Sequence, residues 1–138
     1  MWHVKDAAAF LKFVQNTKSF DKVLKNVNIL SLGAGKCTAE LKVDEEHTNP
    51  MGGLHGGLSA TLVDCVSTYA LMTKIPARHV SVDIHMSYLK GASIGDDILI
   101  EADVVKSGKS LAFLEVQIKN KKTGDILVKG SHTKFIMS

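Results

Sequence analysis

One apolar stretch decides the fold: LSATLVDCVSTYALMT, residues 58–73, which follows the tripeptide His55-Gly56-Gly57. Small and apolar side chains would occupy nearly every face of a helix here, a pattern typical of a helix buried on most sides. At ~1.5 Å per residue the helix would be about 24 Å long. The preceding segment, residues 44–57, is polar, rich in glycine and contains Pro50, so we predict a loop there.

The sequence on both sides of this helix carries the period of two that strands show. In residues 36–43 the apolar residues Cys37, Ala39, Leu41 and Val43 alternate with Lys36, Thr38, Glu40 and Lys42. Strands are predicted over residues 27–32, 36–43, 79–89, 97–106, 110–119 and 125–136, and tight turns over 33–35, 107–109 and 120–124.

Two more helices are predicted upstream. Residues 4–17 form an amphipathic pattern, and Ser19 is placed to cap a short helix that continues to Leu24. The order is therefore helix, short helix, two strands, buried helix, four strands. Because the turns are short, most of the sheet should be antiparallel, and we expect an α+β fold in which this sheet wraps around the long central helix.

The composition fits a single domain over residues 1–138 and argues against several classes of function. Apolar residues make up 45% of the chain and charged residues 22%, which excludes wholesale disorder. The net charge of +3 comes from scattered lysines and one arginine, so no nucleic-acid-binding face is expected, and a basic rim around an anionic small ligand fits better. No apolar run approaches the ~20 residues of a transmembrane helix.

Cysteine usage and the N-terminal sequence bear on compartment. Cys37 and Cys65 have neither metal-binding nor redox spacing, which favours buried free thiols in a reducing compartment. The first residues show no secretory pattern, so we expect a cytoplasmic (cytosolic) protein, with the mitochondrion as the alternative.

Two features suggest chemistry. The His55-Gly56-Gly57 loop precedes a helix, whose first turn offers unpaired N–H groups and partial positive charge that could hold an oxyanion. A turn needed only to enter the helix is the other interpretation. Asp64 lies two turns further on among apolar neighbours, so its carboxylate must be paired, protonated or facing a cavity. Thr61, Ser67 and Thr68 share its face, which indicates either an interface or a wet pocket, although a hydrogen bond across a packing seam would also explain it.

Asn49 and His55 flank this loop. The Asn49 amide could donate to a carbonyl oxygen or hold a water, or could simply form the turn before Pro50. His55 could orient the loop. The spacing of His47, His55 and Asp64 is unlike a zinc site, and no G-x-S-x-G motif is present, which argues against a metal centre and a serine hydrolase.

Taken together, EEHTNPMGGLHGGLSATLVDCVSTYAL, SVDIHMSYLK, KSGKSLAF and GSHTKF resemble the hotdog-fold acyl-coenzyme A thioesterases over nearly the whole chain. The resemblance implies a hotdog fold, a homodimer that assembles into a homotetramer, and no cofactor. It implies that the Gly56 N–H polarises the thioester carbonyl and that Asp64, from the opposite subunit, acts as general base or as nucleophile. Asn49 would hold the carbonyl or the water, His55 would support this group, and Ser81 would place the water.

The same resemblance implies a coenzyme A site on two stretches. The residues expected there are Ser81, Tyr88, Leu89, Lys90, Gly91, Ala92, Ser93, Lys106, Ser107, Gly108, Lys109, Ser110, Leu111 and Phe135. Lys106 and Lys109 would meet phosphates. The acyl chain would run past Leu58, Leu62 and Val66. Two departures stand out: Met51-Gly52-Gly53 adds backbone freedom to the loop, and Ser93 stands where relatives are expected to have a lysine.

The leading functional hypothesis is hydrolysis of medium- to long-chain fatty acyl-coenzyme A to free fatty acid and coenzyme A. A non-catalytic acyl-coenzyme A sensor or interaction module is the alternative from another class. A hotdog dehydratase acting on hydroxyacyl thioesters is a third.

Overall fold

The computed structural model describes residues 7–137. The helices are α1 (Ala7–Gln15) and α2 (Gly56–Met72), with 3-10 turns at Phe20–Leu24 and Glu45–His47. The strands are β1 (Asn28–Gly33), β2 (Lys36–Lys42), β3 (His79–Tyr88), β4 (Asp97–Ser107), β5 (Leu111–Asn120) and β6 (Ile126–Ile136). The predicted order of elements is confirmed, and of the predicted first helix, residues 4–6 lie outside the described part of the chain.

The six strands form one antiparallel sheet in the order β1-β2-β4-β5-β6-β3. Helix α2 packs on one face of this sheet against β2, β4, β5 and β6. The predicted sheet wrapped on a long central helix, the hotdog arrangement, is therefore confirmed. None of the helices within residues 7–137 is both long and apolar enough to span a membrane.

Helix α2 packs closely against β6 because the residue of that strand beneath the helix is a glycine, Gly130. A Cβ atom at Gly130 would come within 2.8 Å of Val63 Cγ1. Leu62, Val63 and Val66 are completely buried in the core that results. The expected path of an acyl chain past Leu58, Leu62 and Val66 does not fit the structure, because these side chains are packed inside the chain's own core.

Local differences from the predicted boundaries are small and have physical causes. Helix α2 starts at Gly56 rather than at residue 58, since the His55 side chain caps it. Ser19 does precede a helical turn, but its side chain makes no capping hydrogen bond. The hairpin turn between β4 and β5 covers residues 108–110, one residue later than predicted, because β4 continues to Ser107.

Candidate active site

The start of α2 presents a free backbone donor at Gly56. His55 is the N-cap residue, and its Nδ1 accepts a hydrogen bond of 2.8 Å from the Gly57 N–H. Because Nδ1 is the acceptor, a neutral His55 ring carries its proton on Nε2. The Gly56 N–H finds no acceptor within residues 7–137, whereas the Gly56 carbonyl accepts from the Tyr88 hydroxyl at 2.8 Å. The His55 side chain therefore caps the helix, in agreement with the orienting role considered for it, and the Gly56 N–H remains available to a ligand.

The Asn49 side chain organises the loop in front of this helix. Its Oδ1 accepts from the Met51 N–H at 2.9 Å and from the Gly53 N–H at 3.2 Å. The Asn49 N–H donates to the Gly53 carbonyl at 2.8 Å. The turn-forming interpretation is thus correct for Asn49 Oδ1. Its two hydrogen bonds hold residues 51–53 in place, although the glycines there had suggested extra backbone freedom. The Nδ2 amide makes no hydrogen bond to the described residues and can still donate to a substrate oxygen.

Asp64 lies on the side of α2 that is incompletely covered. Its side chain is 46% exposed, and Oδ1 lies 3.9 Å from Nε2 of His132. Burial raises the pKa of the Asp64 carboxyl, the charge of Lys134 opposes that shift, and the charge of Asp21 adds to it. A carboxylate whose pKa is raised is a stronger base toward water than an ordinary aspartate.

A chain of hydrogen bonds runs beside Asp64 from α2 to β3. Ser67 Oγ lies 2.8 Å from His132 Nδ1, and Ser81 Oγ lies 2.7 Å from His132 Nε2. The Ser67 hydroxyl donates to the Val63 carbonyl at 2.6 Å. Ser67 must therefore accept from Nδ1–H, which leaves Nε2 to accept from the Ser81 hydroxyl. Burial also lowers the pKa of His132 to about 4, so the ring stays neutral near pH 7 and this direction is maintained.

Because the Ser81 hydroxyl donates its proton to His132, the lone pairs of its oxygen remain free to accept hydrogen bonds. A water that donates one hydrogen to Ser81 and another to Asp64 would be held between a base and an acceptor. The expectation that Ser81 places a water next to Asp64 is compatible with this geometry, and His132 supplies the reason.

Sequence reasoning missed two residues of this cluster, His132 and Lys134. Both lie on β6 within GSHTKF. The available signal was the period of two: Val128, Gly130, His132, Lys134 and Ile136 all point inward and are buried. A histidine and a lysine at inward positions of a strand are uncommon, since charged groups are rarely buried without a partner.

The predicted catalytic residues fall into two clusters, which the structure does not bring together within one chain. Asn49, His55 and Gly56 form the first, and Asp64 and Ser81 belong to the second. Gly56 and Asp64 are eight positions apart on one straight helix, a rise of about 12 Å. That separation is too large for both to act on one carbonyl group, since an oxyanion donor must lie at ~3 Å.

The expected coenzyme A residues divide in the same way. Tyr88, Leu89, Lys90, Gly91 and Ala92 line a surface pocket of about 340 Å³ together with Leu54, Gly56, Ser59 and Val128. Ser93 follows Ala92 in the chain and forms a β-bridge with Gly53 of the loop. The Lys90 ammonium is engaged by Asp125 at 2.6 Å. This first group belongs with the Gly56 cluster.

The second group lies near Ser81. Leu111 pairs with Phe135 across β5 and β6, and Val80 pairs with Phe135 across β3 and β6. The hairpin residues Lys106, Ser107, Gly108, Lys109 and Ser110 lead into this pairing, and both lysines are exposed. Exposed ammonium groups there are free to meet an anion.

Metal and thiol chemistry find no support in the part of the chain that the structure describes. No group of histidine, cysteine or acidic side chains in residues 7–137 is arranged to hold a metal ion. Burial raises the pKa of the Cys37 thiol to about 12 and raises that of Cys65 as well. Both thiols are therefore protonated and unreactive at neutral pH.

Comparisons with known proteins show the family and the fold. Human acyl-coenzyme A thioesterase 13 is 46% identical over 127 residues, which cover 91% of each chain. A crystal structure of zebra fish thioesterase superfamily member 2 superposes with a TM-score of 0.92 at 42% identity, covering 99% of this chain and 100% of that one. A hypothetical thioesterase from Streptococcus pneumoniae, solved with coenzyme A, gives a TM-score of 0.78 at 25% identity and covers 83% of this chain and 88% of its own. The family description "Thioesterase superfamily" matches residues 51–127, and the chain belongs to that superfamily.

Proposed function

We propose that this chain hydrolyses the thioester of medium- to long-chain fatty acyl-coenzyme A, releasing a free fatty acid and coenzyme A. The observation that carries the proposal is the Asp64 carboxylate beside a Ser81 hydroxyl whose proton is occupied by His132. The human relative named acyl-coenzyme A thioesterase 13 and the streptococcal thioesterase with coenzyme A support the choice of substrate.

In this mechanism Asp64 is the general base. It removes a proton from a water that also donates to Ser81, and the water oxygen attacks the thioester carbonyl. The Gly56 N–H and the Asn49 Nδ2 amide donate to the oxygen that becomes negative. The tetrahedral intermediate collapses, the C–S bond breaks, and the proton held by Asp64 passes to the departing coenzyme A thiolate. Attack by the Asp64 carboxylate itself, through an anhydride, is the other route by which this residue could act.

A second copy of the chain completes the site. Gly56 and Asp64 are about 12 Å apart on one rigid helix, so we place the Gly56 cluster of one subunit against the Asp64 cluster of its partner in a homodimer. Strand β3 is an edge of the sheet and carries the exposed residues Val80 and Val82. A ten-residue edge without a neighbour is the natural place for a second copy to pair. Stacking of two such dimers would give the homotetramer.

The test is hydrolysis of a panel of acyl-coenzyme A chain lengths by the wild type and by Asp64→Asn, with release of the free thiol as the signal. Removal of the base should lower kcat by at least about 100-fold, while the circular dichroism spectrum stays unchanged and substrate still binds. Wild-type hydrolysis by a folded Asp64→Asn variant would refute the role of Asp64. Binding of acyl-coenzyme A by the wild type without thiol release would show a sensor instead.

One further measurement tests for the nucleophilic role of Asp64, since only label found in the protein is diagnostic of it. In a single turnover in ¹⁸O-labelled water, a general base leaves the label in the fatty acid. An aspartyl anhydride opened by water at Asp64 leaves it in the protein.

A further inference from the structure

Lys134 is a buried cation next to the proposed base. It lies on β6 opposite Ser81 of β3, and only 5% of its surface is exposed. Its ammonium donates to the Thr68 hydroxyl at 2.9 Å, and that hydroxyl donates to the backbone carbonyl of Asp64 at 2.7 Å. Lys134 forms no ion pair within residues 7–137. A single hydroxyl is thus the direct partner of an ammonium that could donate three hydrogen bonds.

A buried ammonium of this kind is costly unless nearby negative charge compensates it. The group that supplies it is Asp64, whose charge raises the pKa of Lys134 against the lowering effect of burial. The interaction is reciprocal, since the charge of Lys134 lowers the pKa of Asp64 against the raising effect of burial.

The other titratable groups around the pair act on it more weakly or in the opposite direction. Asp21, from the 3-10 turn before β1, raises the pKa of Asp64. His132, on β6, and His79, at the start of β3, both have pKa values lowered to about 4 and are neutral near pH 7. Cys65, next to Asp64 on α2, is a protonated thiol because its pKa is raised. Among the described residues, Lys134 is therefore the cation whose charge acts on the Asp64 carboxyl.

We propose that Lys134 is a positioning residue for the hydrolysis, whose buried ammonium, anchored on Thr68, favours the ionised form of Asp64 in a site partly shielded from water. The inference rests on the proposed role of Asp64 as the base. The Thr68 hydroxyl fixes the position of the Lys134 ammonium. Thr68 lies one helical turn after Asp64, so the ammonium is held on the same side of α2 as Asp64.

The first test compares Lys134→Met with Lys129→Met. Lys129 lies on the same strand but is exposed on the opposite face of the sheet. The acid limb of the kcat/KM profile of Lys134→Met should move to higher pH by roughly one unit, with activity returning above the new limb. Lys129→Met should leave the limb where it is. An unmoved limb in both variants would overturn the proposal.

A second pair of variants addresses the case in which Lys134→Met does not fold. Thr68→Val keeps the side-chain volume but removes the hydroxyl that holds Lys134, and Thr68→Ser retains that hydroxyl. The acid limb should move toward higher pH in Thr68→Val and stay near the wild-type position in Thr68→Ser. Equal profiles for the two variants would show that the anchor has no such role.

Titration of the Asp64 side-chain carboxyl by ¹³C NMR gives a readout that does not require turnover. Its midpoint should be higher in Lys134→Met than in the wild type. If the wild type fails to hydrolyse acyl-coenzyme A, the proposed function fails, and this titration still decides whether Lys134 acts on Asp64. If hydrolysis is present and the midpoint is unchanged, only the role of Lys134 fails.

Discussion

Single residues of this chain are tuned by burial more than by direct ion pairing. The clearest case is the pair of inward-facing histidines, His79 and His132, which burial holds in the neutral form with pKa values near 4. Both ring nitrogens of His79 are shielded and have no partner in the described part of the chain. A proton on either ring would therefore have to be accommodated without solvent.

This predicts that the folded protein loses stability in mild acid. In the unfolded chain both histidines take up a proton near pH 6.5, whereas in the folded chain they stay neutral until about pH 4. Between these values the unfolded state binds more protons, so the free energy of unfolding falls as pH falls, by up to about 3 kcal/mol per histidine. Asp64 acts in the opposite direction, because its raised pKa means that protonation favours the folded state.

Thermal unfolding midpoints at about pH 7 and pH 5 measure this effect. The difference between the two midpoints should shrink in His79→Gln and in His132→Gln. It should persist in His85→Gln, since His85 is exposed on the same strand as His79. A wild-type protein equally stable at both values would contradict the prediction.

Site residues that are close together in the sequence could be predicted, whereas contacts between residues far apart in the sequence could not. Asp64 and its polar neighbours Ser67 and Thr68 were identified from their spacing on one helix. Their partners were not, since His132 is 65 positions from Ser67 and Lys134 is 66 positions from Thr68. Those contacts follow from the position of β6 beneath α2, which no local pattern encodes.

At the scale of elements, the entry into α2 combines a stabilising contact with a functional one. The N-cap requires a glycine at position 57, because a Cβ atom on Gly57 would lie 2.9 Å from the His55 ring and displace it. Gly56 serves the free N–H: a Cβ there would meet the Tyr88 ring at 3.5 Å, an ordinary contact. Of the two adjacent glycines, only Gly57 is required by the space around its Cβ position.

We therefore expect the two substitutions to separate stability from activity. Gly57→Ala should be less stable than Gly56→Ala by about 1 kcal/mol, because both variants gain a helical alanine but only Gly57→Ala loses the N-cap hydrogen bond. Gly56→Ala should be at least as stable as the wild type, since alanine favours a helix. It should reduce hydrolysis, because the new methyl group lies beside the free N–H. Urea denaturation and a hydrolysis assay on both variants provide the check, and a Gly57→Ala protein as stable as Gly56→Ala would be the contrary result.

The start of α2 also shows where element prediction fails. The apolar pattern begins at Leu58, but the helix begins at Gly56. Histidine is outside the usual set of N-cap residues, so the cap carried no recognisable signal. The turns between strands were predicted closely because their chemistry is local: Gly124, for example, adopts the positive φ of 78° that a tight turn needs.

At the scale of the whole molecule, sheet order was the part that sequence could not supply. Strand β3 follows α2 in the chain, yet it pairs with β6 at the far edge of the sheet. That placement brings Ser81 to His132 and moves Tyr88 to Gly56, at opposite ends of one strand. The alternation within each strand predicted which face is buried, but it does not specify the neighbouring strand.

The proposed two-chain site predicts complementation between inactive subunits. Asn49→Asp keeps the Oδ1 acceptor for the loop but loses the Nδ2 donor, and Asp64→Asn loses the base. After subunit exchange of equal amounts, half of the dimers are hybrids with one intact site, so about a quarter of the wild-type rate should return. Each variant alone should remain inactive. If differently tagged subunits exchange and no activity returns, each site lies within one chain.

In the proposed two-chain site, helix α2 sets the spacing between the two groups that act on the thioester, and that spacing makes hydrolysis depend on protein concentration. Its eight-residue span keeps the Gly56 donor and the Asp64 base permanently apart in any solitary copy. A newly synthesised chain would then be harmless to the cell's acyl-coenzyme A pool until it meets another, and the hydrolysis rate per chain would rise with the amount of protein made. Abundance, rather than a separate inhibitor, would set when the enzyme begins to work.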